Sequence, residues 1–107
     1  MAVITERRGK KRSNELEKVL ASRKTVIRVV GTGGAGNNTI TRLMQVGIEG
    51  AETIAVNTDA QDLLYTDADV KLLIGKEQTG GFGAGADPKI GEEAAKESRN
   101  EIKRILE

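Results

Sequence analysis

The sequence contains neither cysteine nor histidine. Without cysteine there is no disulfide and no thiolate metal site. Without histidine, imidazole catalysis is excluded and zinc loses its usual ligands. No apolar run approaches the roughly 20 residues that a membrane-spanning helix needs. The first residues are basic but lack an apolar core, so they do not form a secretory signal. Aromatic residues are scarce, with one Tyr, one Phe and no Trp. None lies in the basic N-terminal stretch, which therefore has no platform for stacking bases. These absences describe a soluble, cytoplasmic protein without a transmembrane segment. With 107 residues, it forms at most one small domain with little core to spare.

The formal net charge of +1 hides an asymmetry. Residues 1–24 carry eight Lys/Arg and three Glu, a balance of +5, while residues 25–107 carry nine Lys/Arg and 13 Asp/Glu, a balance of −4. A basic arm thus precedes a mildly acidic body, and the body gives no support to nucleic-acid binding. The cluster Arg7, Arg8, Lys10, Lys11 and Arg12 reads as a solvated arm. Contact with an anionic surface is the alternative. Asn14 can cap a short helix, with Glu17 completing a capping box. Leu16, Val19 and Leu20 give that helix a narrow apolar stripe that packs on the body.

Glycine is plentiful, with 13 residues, and its placement is informative. In 26–38, read VIRVVGTGGAGNN, the nearly continuous apolar run of Val26, Ile27, Val29 and Val30 suits a parallel strand buried on both faces. Gly31, Gly33, Gly34 and Gly36 follow, and then Ile40, Leu43 and Met44 recur at helical spacing. A strand, glycine turn and helix start aim backbone N–H groups and the positive helix end at one place, which suits phosphate.

The remaining pattern is alternating. Strand one is expected over 25–30 and helix one over 37–46, closed by Gly47. Strand two is expected over 53–56, followed by a short helix with Ala60, Leu63 and Leu64 on one side. Strand three is expected over 70–74. The stretch 75–87 is a long glycine-rich loop of the kind that usually carries function. Asp87 and Pro88 are then an N-cap and a first helical residue. Ile90, Ala94, Ser98, Ile102 and Leu106 line one face of a single last helix. Such alternation gives an α/β domain with a parallel sheet of about three strands flanked by helices. Ligands in such sheets bind beyond the C-terminal strand ends. Both glycine loops and the Asn57-Thr58-Asp59 segment follow such ends.

The residues leave several ligands open. Gly31-x-Gly33-x-x-Gly36 matches the dinucleotide fingerprint, a weak signal alone. The acid expected at the end of strand two is displaced, because Asn57 and Thr58 precede Asp59. A P-loop fits less well, since Gly36 is followed by two asparagines rather than Lys and Ser/Thr. The glycines could also serve only close strand–helix packing, but a second glycine loop at a helix start would then be surplus. Three functions stand: the phosphate-binding half of a nucleoside triphosphatase, a NAD-type module, or a non-enzymatic interaction module using the basic arm.

GTGGAGNN at 31–38, AVNTDAQ at 55–61 and GFGAGADPKIGEEAA at 81–95 occur in an order that resembles the FtsZ family, the tubulin-like GTPases of prokaryotic cell division. The wording is most similar to archaeal members, and the resemblance covers about 24–106. It implies a Rossmann-like GTPase domain binding GTP or GDP, with Mg²⁺ held through the nucleotide and water. Gly33, Gly34, Ala35, Gly36, Asn37 and Asn38 would form the first phosphate loop. Asn57 and Asp59 would lie near the phosphates and the magnesium water shell, and Ala84, Gly85 and Ala86 would sense the γ-phosphate. Phe82 and Asp87 stand where the family usually has Leu and Asn. The resemblance further implies a head-to-tail protofilament of identical subunits, division-ring partners and a place at the division site. The family's central phosphate loop, base contacts and second domain have no counterpart in these 107 residues. The chain is therefore expected to be an N-terminal fragment, inactive alone, with 1–24 as arm and short helix and 25–107 as the beginning of the GTP-binding domain. In a doubly wound sheet of order 3-2-1-4, strand one is central, and here its outer edge would lack a partner.

Overall fold

The computed structural model describes residues 4–7, 15–16 and 26–107. The expected helix cap at Asn14 and Glu17, and most of the basic cluster, lie outside the described residues. Glu15 and Leu16 are helical, and Leu16 is exposed rather than packed on the body. The elements in chain order are β1 (Ile4–Arg7), β2 (Arg28–Thr32), α1 (Gly33–Val46), β3 (Glu52–Asn57), α2 (Ala60–Leu64), β4 (Val70–Leu73), α3 (Lys76–Thr79), α4 (Pro88–Glu97) and α5 (Arg99–Leu106).

The sheet runs in the order β1-β4-β3-β2. Its β4-β3-β2 part is parallel, as the alternating pattern requires, with Thr32 opposite Val56 and Asn57 opposite Leu73. That register brings the C-terminal strand ends to a common edge. β1 is antiparallel to β4, with Ile4 opposite Leu73 and Arg7 opposite Val70. The N-terminal residues expected in a solvated arm therefore contribute a fourth, edge strand. Backbone pairing along β4 is available to any extended segment, whatever its charge.

Alternation along β3 and β4 builds a core on each face. Ala55 and Leu73 join Ile40, Leu63 and Ala68 beneath α1 and α2, while Ile54, Val56, Val70, Leu72 and Ile74 form the other core, against which Ala95, Ile102 and Ile105 pack. Each such aliphatic side chain contributes about 1.5–3 kcal/mol when fully buried. Thr53 and Asp69 lock the starts of β3 and β4 reciprocally: Asp69 N–H donates to Thr53 Oγ1 at 2.9 Å and Thr53 N–H donates to Asp69 Oδ2 at 2.9 Å.

Three expectations change. The run ending at Val30 is not buried on both faces: Val26, Ile27 and Val30 are exposed, because β2 is paired only with β3 among the described residues. Of the residues expected on the packed side of the short helix, Leu63 is buried but Leu64 is 68% exposed. The last helix is two helices, broken at Ser98 with φ −100° and ψ 18°. The break shifts the helical phase, so Ile105 packs on the sheet and Leu106 is partly exposed. α5 ends against β2, where the Arg28 guanidinium donates to the carbonyls of Leu106 and Glu107 at 3.1 and 3.0 Å. A cation there opposes the negative helix end.

Candidate functional site

The first glycine turn divides its glycines between two tasks. A Cβ on Gly36 would stand 2.8 Å from the Gly31 carbonyl carbon, and one on Gly31 would stand 2.5 Å from Ile40 Cγ1. These two glycines let α1 lie backbone to backbone on β2. Gly33 and Gly34 do something else. Gly33 has φ +70° and open space around it, and the nearest atom to a Cβ on Gly34 is Asp62 Oδ2 at 3.7 Å. The helix begins at Gly33, four residues earlier than the sequence suggests, so Gly33, Gly34, Ala35 and Gly36 are its first turn.

That turn has no side-chain cap and no acidic residue. Two other helices, α2 and α4, differ. Asp59 Oδ1 accepts the Asp62 N–H at 3.1 Å over α2, and Asp87 Oδ1 accepts the Lys89 N–H at 3.0 Å over α4. The longest helix, 14 residues, thus presents a positive end that no carboxylate of its own first turn opposes. Its first N–H groups have no intrahelical acceptor.

Beneath the turn lies an amide ladder. Asn37, 2% exposed, donates through Nδ2 to the carbonyls of Gly31 at 3.1 Å and Val56 at 3.2 Å. Its Oδ1 accepts Asn57 Nδ2 at 3.0 Å, and Asn57 Oδ1 accepts the Asp59 N–H at 3.1 Å. The ladder joins β2, α1, β3 and the start of α2. The side chains of Asn37 and Asn57 are therefore turned inward, and they set the loops rather than face the edge. Asn38 is exposed. A pocket of about 160 Å³ opens there, lined by Gly34, Asn37, Asn38, Asp62, Tyr65 and Thr66.

The second glycine loop meets the same edge. Ala60 N–H donates to the Gly81 carbonyl at 2.9 Å, and Gly83 N–H to the Thr58 carbonyl at 3.2 Å. Asp59 and Phe82 form an isolated antiparallel bridge. A Cβ on Gly83 would lie 3.5 Å from Asp59 Oδ2, which places the second oxygen of Asp59 beside this loop. Ala84, Gly85 and Ala86 follow as a turn, closed by Asp87 N–H on the Ala84 carbonyl at 3.1 Å. Ala86 holds φ 60°, a left-handed conformation uncommon for a residue with a side chain.

Gly33, Gly34, Ala35 and Asn38 thus stand at the open end of α1, while Gly36, Asn37 and Asn57 support it from within. Asp59 joins the Asn57 segment to the second loop, and Ala84, Gly85 and Ala86 project from that loop. Sequence reasoning assigned no role to Asp62, Tyr65 and Thr66, which line the pocket. An acid three residues after the Asp59 cap is a signal of the capping-box kind, but nothing in the spacing marks the tyrosine. Among the described residues, no group of three or more Asp, Glu, His or Cys is arranged to hold a metal ion.

Residues 26–107 match the Tubulin/FtsZ family, GTPase domain. The chain is 61% identical over 93 residues to the cell division protein FtsZ of Methanothermobacter thermautotrophicus, an alignment covering 87% of this chain and 24% of that protein. It is 63% identical over 93 residues to cell division protein FtsZ 1 of Methanocaldococcus jannaschii, covering 87% and 26%. It thus spans about a quarter of the length of the curated relatives it matches. Among solved structures, an FtsZ mutant from M. jannaschii superposes with a TM-score of 0.77 at 64% identity, covering 86% of this chain and 28% of that one. An empty FtsZ dimer from M. jannaschii gives a TM-score of 0.72 at 56% identity, covering 88% and 29%.

Proposed function

Since this chain belongs to the tubulin/FtsZ family, we propose that it is the phosphate-binding part of a GTPase which, in the intact protein, binds GTP or GDP and polymerises head to tail during cell division. The observation that carries this reading is the open positive end of α1, where Gly33 and Gly34 leave the backbone accessible. Backbone N–H groups at a helix start suit phosphate oxygens.

In this reading the N–H groups of Gly33, Gly34, Ala35 and Gly36 hold the phosphates, and Asn38 borders them. Asn37 and Asn57 keep that turn in place through the amide ladder. Ala84, Gly85 and Ala86 meet the terminal phosphate. Bound Mg²⁺ would neutralise phosphate charge during transfer. The donor set fits an ion held through the nucleotide and water, because Asp59 has one oxygen committed to α2 and only its second beside the loop. Magnesium usually keeps several waters and takes one or two carboxylates.

A dinucleotide module fits less well. Its ribose acid belongs at the end of β3, where this chain places the buried amide of Asn57, and Asp59 is engaged as a helix cap. The wider reading places the intact protein in the cytoplasm at the division site, with copies of itself and division-ring proteins as partners and no nucleic acid. Among the described residues no helix is long and apolar enough to cross a membrane. The 107 residues alone are expected to turn over GTP far below the usual enzyme range of about one per second or more.

The test is titration of the chain with fluorescent GTP, with GDP and NAD as competitors. The reading expects GTP and GDP to compete and NAD not to. Displacement by NAD at equal concentration, or no GTP binding by either this chain or a longer protein that contains it, would overturn it.

A further inference from the structure

The break between α4 and α5 has a use that the packing of the sheet does not require. Glu97, the last residue of α4, reaches across to α3: its Oε2 accepts the Glu77 N–H at 3.0 Å and its Oε1 accepts the Gln78 N–H at 2.9 Å. This is a helix cap supplied from a distant part of the chain, since α3's own N-cap is Gly75, which has no side chain to offer. Beside it the Ser98 hydroxyl, 1% exposed, accepts the Gly75 N–H at 2.9 Å. A Cβ on Gly75 would overlap Ala94, standing 2.7 Å from its Cα. The stem of the second glycine loop is therefore clamped to the C-terminal end of α4 by three N–H bonds, from Gly75, Glu77 and Gln78, and by near-zero clearance.

The loop's other end is clamped to the opposite end of the same helix, where Asp87 caps α4. Its middle is tied to the Thr58 and Ala60 backbone. Thr79 Oγ1 adds to this by donating to the Thr58 carbonyl at 3.3 Å. Between Gly83 and Asp87 the backbone closes one turn, with Asp87 N–H on the Ala84 carbonyl. α4, about 15 Å long at 1.5 Å per residue, thus acts as a ruler with the loop stretched over it, and the place of Ala84, Gly85 and Ala86 depends on both anchors.

We infer that Glu97 and Ser98 are positioning residues for the terminal-phosphate contact of the second glycine loop, acting from the α4–α5 break without touching the nucleotide. This inference rests on the proposed function for the identity of the ligand, but not for the loop's anchoring. Because the anchored segment meets only the last phosphate, loss of the anchor should separate GTP from GDP. A general loss of folding would weaken both.

The experiment compares the full 107-residue chain with Glu97→Ala, Glu97→Gln and Ser98→Ala, measuring GTP and GDP affinity and amide hydrogen exchange over 76–86. Glu97→Ala is expected to lower GTP affinity about tenfold, the scale of one lost charge-assisted capping interaction, with GDP affinity held within about twofold on the same scale. Glu97→Gln, which keeps one acceptor oxygen, should recover part of the difference. Exchange at Glu77 and Gln78 and through the loop should quicken in Glu97→Ala and Ser98→Ala. Equal losses for GTP and GDP, or unchanged affinities with unchanged exchange, would overturn the inference. If the unsubstituted chain binds neither nucleotide, the affinities are read in a longer protein that contains it; if that too binds neither, the functional reading fails and exchange alone decides: unchanged protection over 76–86 then refutes the anchoring.

Discussion

The side-chain amide of Asn57 donates to the side-chain carbonyl of Asn37 at 3.0 Å, with both residues almost entirely out of water. This single bond links the end of β3 to the first turns of α1. Asn37 uses both of its N–H groups on the carbonyls of Gly31 and Val56. The first turn of α1 is therefore held by an amide whose two N–H groups and carbonyl oxygen each have a partner. Buried polar groups in such a network are costly to orphan.

Asn37→Ala should consequently destabilise the chain by about 3 kcal/mol, since it removes three buried hydrogen bonds at roughly 1 kcal/mol each. Denaturant unfolding measures this through the midpoint. A loss below about 0.5 kcal/mol, the level of an ordinary surface change, would show that the ladder does not support the turn.

Gly34→Ala and Gly36→Ala should behave oppositely. At Gly34 a methyl group has room and alanine favours the helix by up to about 1 kcal/mol, so stability holds or rises while GTP affinity falls. At Gly36 the methyl group meets the Gly31 backbone, so stability falls first. Paired thermal melts and GTP titrations check the split. Equal effects at the two positions would contradict the division between packing and ligand glycines.

Asp87→Asn should leave stability within about 0.5 kcal/mol, because asparagine and aspartate cap helices about equally well. Removing one negative charge from the base of the second loop should tighten GTP binding. A drop of more than 1 kcal/mol, or about fivefold weaker binding, counts against this. The measurements are the urea midpoint and competition titration with GTP.

Deleting residues 1–7 removes β1 and bares the outer edge of β4. β4 reads VKLL and is buried at three of its four positions, so the exposed edge is apolar and open to pairing. The shortened chain is expected to elute as larger species than the full chain at matched concentration in size-exclusion chromatography with light scattering. An equally monodisperse product would show that the edge needs no cover.

Much of the body was legible in the sequence. The helical recurrence of Ile40, Leu43 and Met44 and the β-branched run before Asn57 reported their elements, and three parallel strands with flanking helices follow. The strand carrying Val30 was misread as buried on both faces, because periodicity reports side-chain chemistry and cannot see which edge has a neighbour. The break at Ser98 was invisible for a related reason. Ile90, Ala94, Ser98 and Ile102 keep helical spacing across it, while at the break Ser98 Oγ accepts the N–H of Gly75, 23 positions away in sequence. The pairing of 4–7 with β4 was hidden because backbone ladders carry no side-chain signature. At the site, glycine spacing announced a tight turn into a helix. It could not distinguish Gly36, which faces Gly31, from Gly34, which faces outward, since both lack the same atom.

The place of β1 also bears on the order in which the molecule assembles. β2, β3 and β4 meet through crossovers within 28–73, whereas β1 joins only when position 4 finds position 73. Contacts so far apart along the chain close a large loop and form slowly. During synthesis Ile4 is made long before Leu73 exists, so β1 is placed after β2, β3 and β4. For that interval the segment that becomes β1 is extended chain without its partner, open to any chaperone or protease that recognises such a segment.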